Sequence, residues 1–290
     1  MATPKEIIRH YCVKPRKRLG QSFLLDKNII HKIAVAARIS PEDVVIEIGP
    51  GTGVLTEEIV SLARRVIAVE LDEKLVRLLE NKFADCGNIE VRCQDILKFN
   101  FSLPAKKHNV QLKVVGNVPY YLSSPLVFYL LSYRRAISDF TLMLQKEVVD
   151  RLIASPNNKN YGVPSVLLQM FTEVERLFDV PETCFYPRPK VTSSVIQGKF
   201  REKPLVDIVD EEIFSRLVKA AFAQRRKMLI NNLKRTNLLT GWTDEELNKA
   251  LNAVGIDGKR RAETLSVCEF GRLCNILATG KKTSVIPKIS

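Results

Sequence analysis

The sequence is short of the residues on which most metal and acid–base sites are built. Three histidines, His10, His31 and His108, occur in 290 residues, and no H-E-x-x-H pattern is present. Six cysteines, Cys12, Cys86, Cys93, Cys184, Cys268 and Cys274, are scattered without a C-x-x-C pair. Neither a zinc ribbon nor a disulfide framework is indicated, and the thiols are expected to be reduced. No metal site, Ser–His–Asp triad or Cys–His pair can be argued from such a set, so any chemistry has to do without metal and without a histidine base. Long apolar runs are missing too: none approaches the roughly 18 residues of a spanning helix. The first residues lack the apolar core of a secretory signal, and they are poor in serine and carry Glu6, unlike a mitochondrial presequence. A cytoplasmic protein is expected. Acidic residues are outnumbered, 32 Asp+Glu against 45 Lys+Arg, for a net charge of +13. That excess favours phosphate-rich partners, and without a membrane segment nucleic acid is the favoured one.

What is present is a hydrophobic content of 46%, ordinary for a folded chain, arranged in alternating strand and helix patterns. The segments DVVIEI, RVIAVELD, IEVRC and LKVVGN read as buried strands, separated by the helical patterns VLTEEIVSLA and EKLVRLLENKF. Asp26 is a plausible N-cap for the helical segment that follows it. The alternation continues through SPLVFYLLSY, DFTLMLQ, KEVVDRLIA and VPSVLLQMF to two further strands, VERLFDV and SSVIQGKF. It predicts an α/β fold with a doubly wound, mostly parallel sheet. Beyond the linker REKPLVDIVD only helical patterning is left, so the expected division is 1–204 for the α/β domain and 205–290 for a small all-helical domain.

Three consecutive strand ends carry a ligand signature. The first runs into EIGPGTG, with Gly49, Gly51 and Gly53 at alternate positions; glycines allow close backbone approach, and the next helix presents free N–H groups. The second ends in Glu70, seventeen residues beyond Gly53, where a carboxylate can accept from both ribose hydroxyls. The third ends in Asp95, which can accept from an adenine amino group or cap the next helix. An adenosyl cofactor follows. A G-x-G-x-x-G reading from Gly51 fails because position 56 is Thr, which favours S-adenosylmethionine over NAD.

The fourth strand end, GNVPYYLSSP, suggests what the cofactor is for. Turn chemistry accounts for Gly116, Asn117 and Pro119, but not for adjacent aromatics. An exocyclic adenine amine is a poor nucleophile, because its lone pair is delocalised into the ring. The Asn117 side-chain oxygen and a backbone carbonyl near Val118 or Pro119 can hold such an amine for in-line attack on a methyl group. Pro119 stiffens the loop, and Tyr120 offers a ring on which a flipped base can stack. Tyr121 reads equally well as core.

N-V-P-Y resembles the motif of N6-adenine methyltransferases. Together with KRLGQSFL, EIGPGTG, QDIL, FYPRPKVTSS, AFAQRRKMLINNL and RRAETLSVCEFGRL, it makes residues 14–280 resemble the KsgA-type ribosomal RNA adenine dimethyltransferases. The resemblance implies a Rossmann-like class I methyltransferase domain. It also implies transfer of methyl groups from S-adenosylmethionine to two adjacent adenosines in the 3′-terminal hairpin of small-subunit rRNA, two on each, by a monomer acting late in subunit assembly. Carried over by position, it implies cofactor contacts from Ser22, Leu24, Gly49, Gly51, Glu70, Asp95 and Asn117. It also implies that Phe185 faces Tyr120 across the base. Ser22 departs from the family, which commonly has Asn there. The basic groups Arg16, Lys17 and Arg18, then Arg225, Arg226 and Lys227 opening a helix, and Lys259, Arg260 and Arg261, are expected to grip RNA phosphates. The rival readings are a large-subunit methyltransferase of the erythromycin-resistance type and a non-catalytic assembly or transcription factor with the same fold.

Overall fold

The computed structural model describes residues 15–16, 20–236 and 242–280, and divides the chain into two compact units. One runs to Val149 and resumes over Glu173–Phe200; the other takes Asp150–Thr172 and the chain from Arg201 onward.

The first unit is built on a seven-stranded sheet. In chain order its strands are β2 (Val44–Ile48), β3 (Arg65–Glu70), β4 (Ile89–Cys93), β5 (Leu112–Asn117), β6 (Ile137–Gln145), β7 (Thr172–Val180) and β9 (Ser193–Phe200). They lie in the order β4-β3-β2-β5-β6-β9-β7. The pairs β3–β4, β2–β3, β2–β5 and β5–β6 are parallel, and β6–β9 is antiparallel. All five residues of β2 are buried, as expected of a strand covered on both faces. Helix α1 (Lys27–Ala36) starts at the expected cap, with Asp26 Oδ1 accepting from the Asn28 and Ile29 amides at 2.9 and 3.1 Å. Helices α2 (Val54–Val60), α3 (Glu73–Lys82), α4 (Ser102–His108) and α5 (Ser123–Ser132) link successive strands. The strand order reverses between β2 and β5. Such a switch point opens a crevice beyond the carboxyl ends of the strands, and all four strand ends singled out in the sequence converge there.

Two features were not foreseen. Helix α4 is formed within the short stretch FNFSLPAKKH, whose periodicity is too brief to read. A two-stranded antiparallel ribbon pairs β1 (Phe23–Leu24) with β8 (Phe185–Tyr186), matching Phe23 with Tyr186 and Leu24 with Phe185. No local pattern predicts a pairing across some 160 residues of chain.

The second unit packs α7 (Val163–Phe171), α8 (Glu211–Ala221), α9 (Leu229–Lys234), α10 (Asp244–Ala253) and α11 (Val267–Gly280). Helices α8 and α10 are capped by side chains: Asp210 accepts from the Ile213 amide at 2.9 Å, and Thr243 with Glu246 forms a capping box. The division differs from the expected boundary at 204 because the segment after α6 (Lys146–Leu152) is tied to helices further along. Gln169 donates to the carbonyls of Leu152 and Ala154 at 2.9 and 2.8 Å, the Asn157 amide donates to Glu263 O at 2.8 Å, and the Leu205 amide donates to Met170 O at 2.7 Å. Edge-to-face packing of Phe171 on Phe214 and of Tyr161 on Phe222 completes the joint.

Candidate active site

The crevice and its open mouth together take in about 930 Å³ of space between atoms. Its floor is the glycine turn. Gly49, Gly51 and Gly53 all sit at positive φ, +62°, +60° and +75°, a region that side chains disfavour, so the alternate spacing is a backbone requirement. The turn is braced from behind by Lys82, whose ammonium donates to the carbonyls of Thr52 and Gly53 at 3.0 and 3.2 Å and pairs with Glu57 at 2.9 Å.

Glu70 stands where the ribose acceptor is expected. Its Oε1 accepts from the amides of Leu71 and Asp72 at 2.8 and 3.0 Å, and its Oε2 from Gly51 at 3.2 Å. Burial pushes this carboxyl upward, while those same three amides favour the anion. Asp95 does cap the following 3₁₀ turn: Oδ1 accepts from Leu97 at 2.9 Å. No described residue takes its Oδ2, and the residue lines the crevice, so the cap and the acceptor reading are compatible.

A smaller pocket adjoins the first, and Ser22, Asn117 and Pro119 line both. Asn117 donates through Nδ2 to the carbonyl of Ser22 at 3.1 Å. A carbonyl can only accept, so this bond fixes the amide and leaves Oδ1 an acceptor that no described residue uses. The Val118 amide donates to Met143 O, and the Pro119 carbonyl accepts from Leu122. Of the two carbonyls foreseen beside Asn117, Val118 O is therefore the one that no described residue uses. Tyr120 and Phe185 both line the smaller pocket. The Tyr120 hydroxyl is 3.0 Å from Ser193 Oγ and donates to Val191 O at 3.4 Å; burial raises its pKa, opposed by the Ser193 contact. Phe185 is held by the β1–β8 ribbon opposite Leu24, which itself lines the crevice.

The other expected residues are divided between the crevice, its flanks and the helical unit. The Ser22 hydroxyl donates to Pro187 O at 2.6 Å and its carbonyl holds Asn117, and the residue lines both pockets as expected of a cofactor neighbour. Arg16 is paired with Asp72 at 3.2 Å at the crevice rim. Arg225 to Lys227 lie in the turn before α9 rather than opening it. Arg225 pairs with Glu263 at 2.7 Å, and Arg260 is held by Glu269 and the Thr264 carbonyl at 2.5 and 2.7 Å, so both brace the helical unit. Lys17 and Arg18 lie outside the described residues. Arg226, Lys227, Lys259 and Arg261 are exposed. Their two segments are joined by the Leu229 and Ile230 amides donating to Arg260 O and Gly258 O at 2.7 and 3.1 Å. Sequence reasoning missed Glu47 and Tyr121 among the crevice-lining residues. Tyr121 is half exposed rather than core, and its phenol is raised by burial and by the nearby Asp95 and Glu70 charges.

A crevice at the switch point with a glycine turn and two carboxylates, opening onto a pocket of acceptors and aromatic rings, defines a Rossmann-like methyltransferase. The donor set fits its cofactor, S-adenosylmethionine: carboxylates for the adenosine end, and the unpartnered buried oxygens of Glu47 and Thr52 at the glycine turn. Residues 13–279 match the family model described as ribosomal RNA adenine dimethylase. The chain is 43% identical, over 97% of its length and 98% of the relative's, to a ribosomal RNA small subunit methyltransferase A of Bacillus cytotoxicus. It is 42% identical, at the same coverage, to that of a Bacillus cereus strain. A dimethyladenosine transferase from Plasmodium falciparum superposes with a TM-score of 0.79 at 26% identity, covering 90% of this chain and 98% of that one. The 23S rRNA methyltransferase ErmE superposes with 0.67 at 26% identity, covering 88% and 99%. The protein belongs to the ribosomal RNA adenine dimethylase family, is an rRNA methyltransferase, and uses S-adenosylmethionine. The resemblance carried by NVPY and FYPRPKVTSS is thereby borne out.

Proposed function

We propose that this protein dimethylates N6 of two adjacent adenosines in the 3′-terminal hairpin of small-subunit rRNA. It acts as a monomer on a pre-assembled small subunit in the cytoplasm, late in assembly. The observation that carries the chemistry is the orientation of Asn117, whose Nδ2 bond to Ser22 O leaves Oδ1 beside the unused Val118 carbonyl. Support for the small subunit comes from the relatives of that name, similar over nearly the whole chain.

In this reading Tyr120 and Phe185 take the flipped base between them, and Oδ1 of Asn117 and Val118 O accept from the two amine hydrogens. Those contacts draw the nitrogen lone pair out of conjugation and aim it at the neighbouring crevice. Bound S-adenosylmethionine supplies an electrophilic methyl group on a positively charged sulfur. Glu70 and Asp95 would hold its adenosine end in the crevice that adjoins the amine pocket. No general base is assigned, because the methylated nitrogen is acidic enough to lose its proton to water. The acceleration comes from positioning and preorganised acceptors.

The test is methyl transfer from labelled S-adenosylmethionine to small and large subunits purified from cells lacking these modifications, with mass spectrometry placing and counting the methyls. Dimethyladenosine in the small-subunit hairpin is expected. Label confined to the large subunit would move the protein to the substrate of ErmE, and no label with small-subunit binding retained would leave it an assembly factor. Two further results are expected. Glu70→Ala should weaken cofactor binding by calorimetry at least about tenfold, since charge-assisted hydrogen bonds contribute about 1.5–3 kcal/mol each; an unaltered affinity would remove the ribose role. Reversing Arg226, Lys227, Lys259 and Arg261 to Glu, with the internally paired Arg225 and Arg260 left intact, should weaken RNA binding and flatten its dependence on salt. Each lost phosphate contact removes about 0.7–0.9 from the log–log slope; an unchanged slope would make the cluster plain surface.

A further inference from the structure

Two hydrogen bonds meet at Ser22, and they lead to different walls of the smaller pocket. The Ser22 carbonyl accepts from Asn117 Nδ2 at 3.1 Å, and the Ser22 hydroxyl donates to Pro187 O at 2.6 Å. The second bond follows from the register of the β1–β8 ribbon. Phe23 pairs with Tyr186 and Leu24 with Phe185, so one step further Ser22 stands opposite Pro187. Proline has no N–H to give, and the bond that spans this step comes from the serine hydroxyl. A side chain thus carries the ribbon past its last paired residues.

The place of this tie in the site is specific. Ser22 lines both the cofactor crevice and the smaller pocket, and its neighbour Gln21 is held at the crevice rim by Asp72, through Nε2 at 3.2 Å. The methyl-transfer geometry described above needs two groups fixed relative to each other. One is Asn117 Oδ1, which meets the amine; the other is the Phe185 ring, against which the base lies. They come from different strands, β5 and β8. Ser22 is bonded to Asn117 itself and to the residue two positions beyond Phe185. A hydroxyl that gives its one proton to a carbonyl has none left to give to a cofactor atom, so this work differs from a cofactor contact.

We propose that the Ser22 hydroxyl is a positioning group for methyl transfer, locking the segment that aims Asn117 to the loop that follows Phe185. The inference rests on the amine-holding role given to Asn117 and not on which RNA is modified. Alanine at position 22 keeps the backbone carbonyl that holds Nδ2 but frees it from Pro187. The carbonyl can then drift, and Oδ1 drifts with it. Misplacing a reacting group by about 1 Å slows a reaction about a hundredfold, and loosening one of several ties slows it less.

The test is single-turnover methyl transfer, with cofactor and RNA saturating, to whichever ribosomal subunit the wild type labels. Ser22→Ala should be about tenfold slower, with calorimetric affinity for S-adenosylmethionine within about twofold of wild type, the split expected when positioning and not binding is lost. Ser22→Thr keeps the hydroxyl and should stay within about threefold of the wild-type rate. In an Asn117→Ala background, Ser22→Ala should slow transfer by less than about twofold more, because a tie that aims an absent amide has nothing to act on. Effects of the two substitutions that multiply would overturn the proposal. So would a wild-type rate in Ser22→Ala, or a Ser22→Thr rate as low as that of Ser22→Ala. A cofactor affinity that falls as far as the rate would make Ser22 a cofactor contact in place of a positioning residue. Wild-type turnover in Asn117→Ala is a separate result: it would fail the amine-holding role itself, and this inference with it.

Discussion

Asn117→Ala is expected to slow single-turnover methyl transfer by about 10²–10³-fold, the range seen when one preorganised polar contact to a reacting group is removed, and to leave RNA affinity within about threefold of wild type. The argument rests on what fixes the side chain. Its Nδ2 is committed to Ser22 O at 3.1 Å, so Oδ1 needs no reorganisation to meet the amine, and water cannot reproduce that placement. A mutation that lowers the chemical step without weakening substrate binding marks a contact made mainly in the transition state. Asn117→Asp supplies the informative comparison: it keeps an acceptor but loses the donor to Ser22, so the acceptor is no longer aimed. Activity close to wild type in Asn117→Asp would show that an oxygen alone suffices. Unchanged turnover in Asn117→Ala would remove the residue from the chemistry.

Gly116→Ala should be the most damaging small change to the fold around the site. A β-carbon at Gly116 would lie 2.6 Å from the Ile48 carbonyl oxygen and 3.0 Å from Ile48 Cβ. Gly116 and Ile48 are register partners of β5 and β2, the two strands that diverge at the switch point. The nearest atom belongs to backbone, so no side-chain rotation relieves the clash and the two strand ends have to separate. A loss of about 3 kcal/mol in unfolding free energy, read by urea denaturation, is expected, at the upper end of overpacking effects. Cofactor affinity should fall with it, because the glycine turn and Asn117 extend from those two strand ends. Gly87→Ala, where the new carbon meets nothing within 4 Å, is the control and should leave both measurements unchanged. If Gly116→Ala kept wild-type stability and cofactor affinity, the close approach of the two strands would not be what shapes the crevice.

Much of this was determined by the sequence alone, for a physical reason. Parallel strands buried on both faces read as unbroken apolar runs, and helices as 3.6-residue patterns, so the alternation and the four strand ends that meet at the crevice were legible residue by residue. The glycines at 49, 51 and 53 declared a backbone that only glycine adopts readily, and Asp26 declared a helix start. Tertiary structure alone decided what depends on contacts between distant segments. Asn117 receives its orientation from Ser22, ninety-five residues away; Phe185 is brought to the pocket by a ribbon with Leu24; residues 150–172 join the helical unit through hydrogen bonds to carbonyls and amides far along the chain. The basic runs looked alike as letters, yet Arg16, Arg225 and Arg260 are paired with Asp72, Glu263 and Glu269, while Arg226, Lys227, Lys259 and Arg261 are exposed with no ion pair among the described residues. Glu47 was invisible for the same reason. A glutamate two residues before a glycine turn carries no mark of its surroundings, and whether it is a solvated anion or a buried acid is set by which helices close over it.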